Sequence, residues 1–168
     1  MGSRSKLTLQ FLSEPTDVNY GGKVHGGAVM KWIDQAGYAC ASQWAGRYSV
    51  TVYVGGIRFF SPILIGEVVQ VRAAVIHTGN TSMHLAIDVF SKGVSAERFV
   101  KKTHCVVVFV AVDEQGRPQP VPRFEPSTEA ERQKQAYALK LMELRKDLEQ
   151  AMEPFLRPDA DPTDGGHS

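Results

Sequence analysis

Seventeen residues, Ala28 to Trp44, limit what this chain can become. They read AVMKWIDQAGYACASQW, and from Trp32 to Gly46 the only charge is Asp34. A helix apolar on nearly all faces is a buried helix. A lone carboxylate on it costs free energy unless it is paired, hydrogen-bonded or put to use. Helical spacing puts Asp34 on one face with Met30, Gly37, Tyr38 and Ala41. Gly37 and Ala41 are small, so that face admits a second backbone or a ligand. Just upstream, Gly21, Gly22, Gly26 and Gly27 form a turn that leaves the helix start bare. Unpaired N–H groups there can point at an oxygen carrying partial negative charge. One short segment therefore offers a general base and an oxyanion site. The plainer alternative is a satisfied core carboxylate behind capping glycines, and the glycine turn weighs against it.

The rest of the composition narrows the class. A length of 168 residues suits one domain with a real core. A net charge of +1, from 19 Lys and Arg against 18 Asp and Glu, gives nucleic acid no reason to bind. The longest apolar run, Cys105 to Val112, is far too short to cross a bilayer. MGSRSKLTLQ has no apolar h-region, so no signal peptide is expected, and Lys6 stands where myristoylation wants Ser or Thr. Cys40 and Cys105 sit in apolar settings with no CxxC or Cys/His spacing. They read as reduced core thiols of a cytoplasmic protein without a metal site.

Along the chain, Leu7, Leu9 and Phe11 alternate with polar residues in a strand from Lys6 to Leu12, broken by Glu14, Pro15, Thr16 and Asp17. After the helix, Val50, Val52 and Val54 alternate with Thr51 and Tyr53. Gly55-Gly56 suggests a bulge before the strand resumes as IRFF and stops at Ser61-Pro62. A strand from Gly66 to His77 leads to a tight turn, Thr78-Gly79-Asn80-Thr81. The return strand turns Met83, Leu85, Ile87 and Val89 inward. Phe99 to Asp113, with its CVVVFVAV, reads as a strand covered on both faces. The pattern predicts an α+β fold, an antiparallel sheet on one buried helix, whose open edges invite edge-to-edge dimerisation. Gln115 to Pro126 is an extended connector. Thr128 to Met152 predicts a second helix, with Thr128 and Glu131 as a capping box and Tyr137, Leu141, Leu144 and Leu148 as an amphipathic stripe. Arg157 to Ser168 has no apolar pattern and is expected to be disordered.

These residues resemble the hotdog-fold acyl-CoA thioesterases, in the acyl-CoA hydrolase branch. The resemblance rests on Asn19 with Gly22, His25-Gly26-Gly27, Ile33-Asp34-Gln35-Ala36, Phe59-x-Ser61-Pro62 with Gly66-Glu67, and Gly79-Asn80-Thr81-Ser82-Met83. It is completed by Phe109-Val110-Ala111-Val112-Asp113-Glu114-x-Gly116-x-Pro118-x-Pro120-Val121-Pro122. It implies a hotdog fold, five to six antiparallel strands wrapped around one long helix, over residues 6–122. The connector and C-terminal amphipathic helix (123–156) and the acidic tail (157–168) lie outside it. It further implies homodimers that assemble into hexamers, and metal-free hydrolysis of fatty acyl-CoA at the dimer interface. Coenzyme A then enters only as part of the substrate. By residue match, Asp34 takes the catalytic acidic position, Asn19 the Asn supplied from the opposite subunit, and the Gly26 and Gly27 amides the carbonyl-polarising role.

The chemistry agrees with the reading from the residues. Asp34 can deprotonate a water or attack the thioester directly. A helix-start amide can stabilise the tetrahedral oxyanion, worth about 3 kcal/mol per donor. Substrate contacts are expected at His25, Arg58, Thr81 and Ser82, with Arg98, Lys101 and Lys102 as further phosphate-binding candidates. Against these stand plainer roles: an Asx turn for Asn19, capping for His25, hairpin chemistry for Thr81 and Ser82, and a solvated surface for the cations. No GxSxG elbow is present, which weighs against a serine hydrolase. The rival functions are a hotdog dehydratase or hydratase using His25 as base, and a non-catalytic acyl-CoA-binding module.

Overall fold

The structure, a computed structural model, describes residues 4–156. The acidic tail predicted from Arg157 onward lies outside the described residues. Strand β1 (Lys6–Leu12) leads through a short 3-10 turn to helix α1 (Gly26–Ala45). Strands β2 (Ser49–Phe59), β3 (Val68–Thr78), β4 (Ser82–Lys92) and β5 (Val100–Ala111) follow, then helix α2 (Glu129–Leu156). The strands form one antiparallel sheet in the order β1-β3-β4-β5-β2. One face of the sheet carries α1 and the other carries α2.

Side-chain alternation builds the core. Met83, Leu85, Ile87 and Val89 of β4 turn to the α1 face, as expected, and meet Cys105, Val107, Phe109 and Ala111 of β5. Helix α1 contributes Val29, Trp32, Ile33, Ala36, Cys40 and Ala41. At Gly37 the helix lies tight on the sheet: a Cβ there would lie 2.7 Å from the Phe109 ring and 2.9 Å from Ile87. Gly46, at φ 69°, closes the helix with its N–H on Ser42 O.

Two features differ from the sequence expectation. Helix α1 is buried on one side only. Met30, Lys31, Asp34, Gln35 and Tyr38 are exposed, while Gly37 and Ala41 face the sheet. The small residues thus admit the sheet and not a ligand, and Asp34 is not a core carboxylate. Helix α2 starts at Glu129 but runs on to Leu156, past the expected end at Met152. Its capping box is shifted by one residue. Thr128 Oγ1 accepts from the Glu131 N–H, but the Glu131 carboxylate reaches back to the N–H and hydroxyl of Ser127.

Beneath α2 the sheet carries polar residues where β-strand alternation alone suggests solvent. His104 bridges Asp88 Oδ1 (2.7 Å) and the Tyr137 hydroxyl (2.9 Å), tying α2 to the sheet. His77 and His84 stack edge to face with ring centroids 5.2 Å apart. Burial, and then the charges of His77 and Arg145, push the His84 pKa down to about 4. An unfolded chain titrates that imidazole near pH 6.5. Below that pH the unfolded state binds a proton that the folded state refuses, so the contribution of His84 is complete above about 6.5 and is lost as pH falls toward about 4. Unfolding free energy measured across this window should therefore fall more steeply for wild type than for His84→Gln, by up to about 1.4 kcal/mol per pH unit. Equal slopes would place the imidazole in water.

Candidate active site

Asp34 stands on the exposed side of α1, opposite the inward face of β2. Thr51 lies there because it pairs with Phe109, whose side chain also points at α1. The Thr51 hydroxyl donates to Asp34 Oδ1 at 2.6 Å. One carboxylate oxygen is thereby held, and the other has no hydrogen-bond partner among the described residues. Sequence reading missed Thr51. Its signal was a polar residue alternating with valines, hidden by a bulge between Thr51 and Tyr53 that shifts the inward register and brings Val54 to the same face.

The glycine turn is more occupied than its sequence suggests. His25 is the N-cap of α1, and its Nδ1 accepts from the Ala28 N–H at 3.1 Å. The helix start is therefore not bare, and the imidazole carries its proton on Nε2. The Gly26 and Gly27 amides have no acceptor among the described residues. Asn19 forms the Asx turn: its Oδ1 accepts from the N–H groups of Gly21 (2.9 Å) and Lys23 (3.2 Å). That fixes the side-chain amide and leaves its Nδ2 donors without an acceptor among the described residues. A cavity of about 260 Å³ opens beside Gly26, walled by Val29, Phe59, Phe60, Pro62 and Ile63.

Within one chain these groups do not meet. The step from Gly27 to Asp34 is about 10 Å of helix axis, too far for both to act on one carbonyl. The Phe59 end of β2 lies against Gly26, so the start of α1 and Thr51 occupy opposite ends of the strand. Arg58 is at the Gly26 end, exposed, in register with His104. Thr81 and Ser82 are at the other end, in the β3–β4 turn, where Ala111 N–H bonds Thr81 O and Gly79 N–H bonds Ser82 O. They lie two strands from Thr51, about 10 Å away. Lys101 pairs with Asp88 at 3.1 Å. No cluster of His, Cys, Asp and Glu suited to a metal occurs among the described residues. Burial raises both thiols, Cys40 and Cys105, to about 11, so neither is a ready nucleophile.

Residues 21–96 match the thioesterase superfamily model. The acyl-CoA thioester hydrolase YciA of Salmonella typhimurium is 35% identical over 122 residues, 71% of this chain and 92% of that protein. The chain belongs to the thioesterase superfamily, among its acyl-CoA thioester hydrolases. A hexameric acyl-CoA thioesterase superposes with TM-score 0.83 at 32% identity, covering 92% of this chain and 96% of that one. The acyl-CoA hydrolase of Staphylococcus aureus, solved in complex with butyryl coenzyme A, coenzyme A and coenzyme A disulfide, superposes with TM-score 0.82 at 26% identity, covering 92% and 96%. It has also been solved as variants in which an Asp, an Asn or a Thr is replaced by Ala. The sheet on α1 is thus a hotdog fold of five strands, and helix α2 covers its far face.

The cap assigns His25 a structural task that can be separated from chemistry. His25→Ala should lower stability by about 1 kcal/mol, and His25→Asn, which still caps, should restore it. Denaturant unfolding measures both. His25→Asn should keep hydrolysing; a folded but inactive His25→Asn would put the imidazole into the reaction.

Proposed function

We infer that this acyl-CoA thioester hydrolase cleaves fatty acyl-CoA to free acid and coenzyme A at a site shared by two copies of the chain. Asp34 of one copy acts there with Asn19, Gly26 and Gly27 of the other. The observation that carries this reading is the Thr51–Asp34 hydrogen bond on the open face of α1. The variants of the Staphylococcus aureus enzyme support it. Its substituted Asn and Asp are fifteen residues apart, and its Asp and Thr seventeen, the same separations as Asn19 to Asp34 and Asp34 to Thr51.

Two-fold symmetry supplies what one chain lacks. Strand β2 ends the sheet, with one edge unpaired among the described residues and with Val52 and Val54 exposed. Antiparallel pairing of two β2 edges brings the Thr51 end of one strand toward the Phe59 end of the other. The Asp34 carboxylate then approaches the partner's α1 start, its Asn19 turn and its Arg58. In this arrangement Asp34 takes a proton from water through its open oxygen. The water oxygen bonds to the carbonyl carbon, and the carbonyl oxygen collects charge facing the Gly26 and Gly27 amides. The C–S bond then breaks, and the thiolate of coenzyme A recovers the proton from Asp34. Asn19 Nδ2 orients the water or the carbonyl. The acyl chain follows the apolar cavity beside Gly26, and Arg58 with Thr81 and Ser82 belong to the coenzyme A path. Dimers joined this way can assemble as trimers of dimers, in line with the hexameric relative.

Asp34→Asn should stay folded and lose most turnover in a thiol-release assay, and Thr51→Val should lower kcat with little change in stability. Sharing is tested by mixing. Asn19→Ala and Asp34→Ala chains, each nearly inactive alone, are denatured together in equal amounts and refolded. Half the dimers are mixed and each mixed dimer holds one intact site, so about a quarter of wild-type activity should return. Mixed dimers confirmed by mass yet inactive would confine the site to one chain.

A further inference from the structure

Helix α2 is longer than the sheet it covers. It crosses the sheet from the β1 edge to the β2 edge. Glu131 lies 3.9 Å from Lys6 of β1, Ala138 packs on Ile76 of β3 and Ala86 of β4, Tyr137 reaches His104 of β5, and Arg145 stacks on Tyr53 of β2. From Glu131 to Arg145 is about 21 Å of helix, close to the roughly 19 Å spanned by four strand spacings. The edge strand has been reached, and the helix continues. Every residue from Lys146 to Leu156 is exposed. The overhang carries Met152, Phe155 and Leu156, with Phe155 86% exposed.

At that same edge lies a cavity of about 190 Å³ between α2 and β2. Its walls include Val106, Val108, Leu141, Leu144 and Leu148, and its floor is the Gly55-Gly56 bulge. The Tyr53 ring folds over Gly55, to within 2.5 Å of where a Cβ would stand. The Arg145 guanidinium closes over that ring at 3.9 Å. The cavity is apolar, sits beside the unpaired edge, and has room for one or two large side chains.

We propose that the overhanging end of α2 crosses to a second copy of this chain, where Phe155 and Met152 fill the cavity between the partner's α2 and β2. This rests on the shared-site reading, which joins two copies along β2. Under that two-fold axis each overhang passes onto the far face of the other sheet, and the two insertions are equivalent. Insertion covers apolar surface that one chain alone leaves in water, and it adds side-chain packing to main-chain edge pairing. The clasp is remote from Asp34, so it controls assembly and not the chemical step.

The test is sedimentation of the full chain over a dilution series, with thiol release measured at each concentration. Phe155→Asp should raise the dissociation constant of the assembly at least tenfold, and Phe155→Ala should shift it the same way by less. Both should match wild-type activity per site when concentrated and lose it on dilution before wild type does. Phe155→Cys combined with Leu144→Cys should give a disulfide between chains on oxidation, since Cys40 and Cys105 are buried. Variants that assemble like wild type would overturn the clasp and leave the shared site standing. So would a thiol introduced by Phe155→Cys that stays open to reagent in the assembled particle. A wild type that is monomeric and fully active would overturn both.

Discussion

Helix α1 can dock on the sheet in essentially one orientation, and the function follows from that constraint. With no side chain at Gly37, the helix settles until the Phe109 ring and Ile87 fill the gap. A contact this close fixes rotation about the helix axis, because any other face would bring a Cβ or a larger group into the ring. Once Gly37, Ala41 and Ile33 are turned to the sheet, Asp34, about 20° from Ala41 around the helix, falls at the margin of the buried arc, where it stays exposed and meets Thr51 of the edge strand. The carboxylate is therefore presented, not buried. Its cost of desolvation is avoided in the single chain, and Thr51 needs only to orient it.

Strand β2 converts this into a site. Its two register shifts, between Thr51 and Tyr53 and between Gly55 and Arg58, break a plain alternation. The first keeps Thr51 facing α1 while Tyr53 turns to the opposite face. The second allows the Tyr53 ring to lie across Gly55 under Arg145. A regular strand could not serve both faces in this way without burying or exposing the wrong residues. The same strand is also the sheet edge, so the segment that orients the carboxylate is the one open to a second chain.

Much of this was legible because local chemistry and tertiary role coincide. The apolar alternation of β4, the turn around Gly79 and the low charge of α1, only Lys31 and Asp34, announced the sheet and the central helix. The motifs around Asn19, Gly26-Gly27 and Asp34 pointed to the family. Other features were not legible, each for a physical reason. A helix rich in Ala and Gly looks apolar on every side, so its periodicity did not reveal which face meets the sheet. For His25 capping stood only as the plainer alternative to substrate contact, because a ring nitrogen that caps and one that binds substrate look alike in sequence. Thr51 was hidden by the bulge that follows it, since alternation assigns faces only while the register holds. His84, His77 and Asp88 gave no sign of burial, because their cover comes from α2, more than forty residues away in the chain.

The separation of Asp34 from the start of its own helix has a further consequence. An oxyanion donor and a general base on one helix must lie within a few ångströms to serve one carbonyl, yet successive turns place these two about 10 Å apart. No rotamer of an Asp side chain closes that gap. A single chain could do so only by bending α1, and the Gly37 contact together with an uninterrupted helix from Gly26 to Ala45 opposes bending. The proposed antiparallel pairing of two copies removes the conflict, because it reverses the order of the two groups along the shared edge. Under the proposed shared site, the rigid docking of α1 also holds each half of the site in place for its partner.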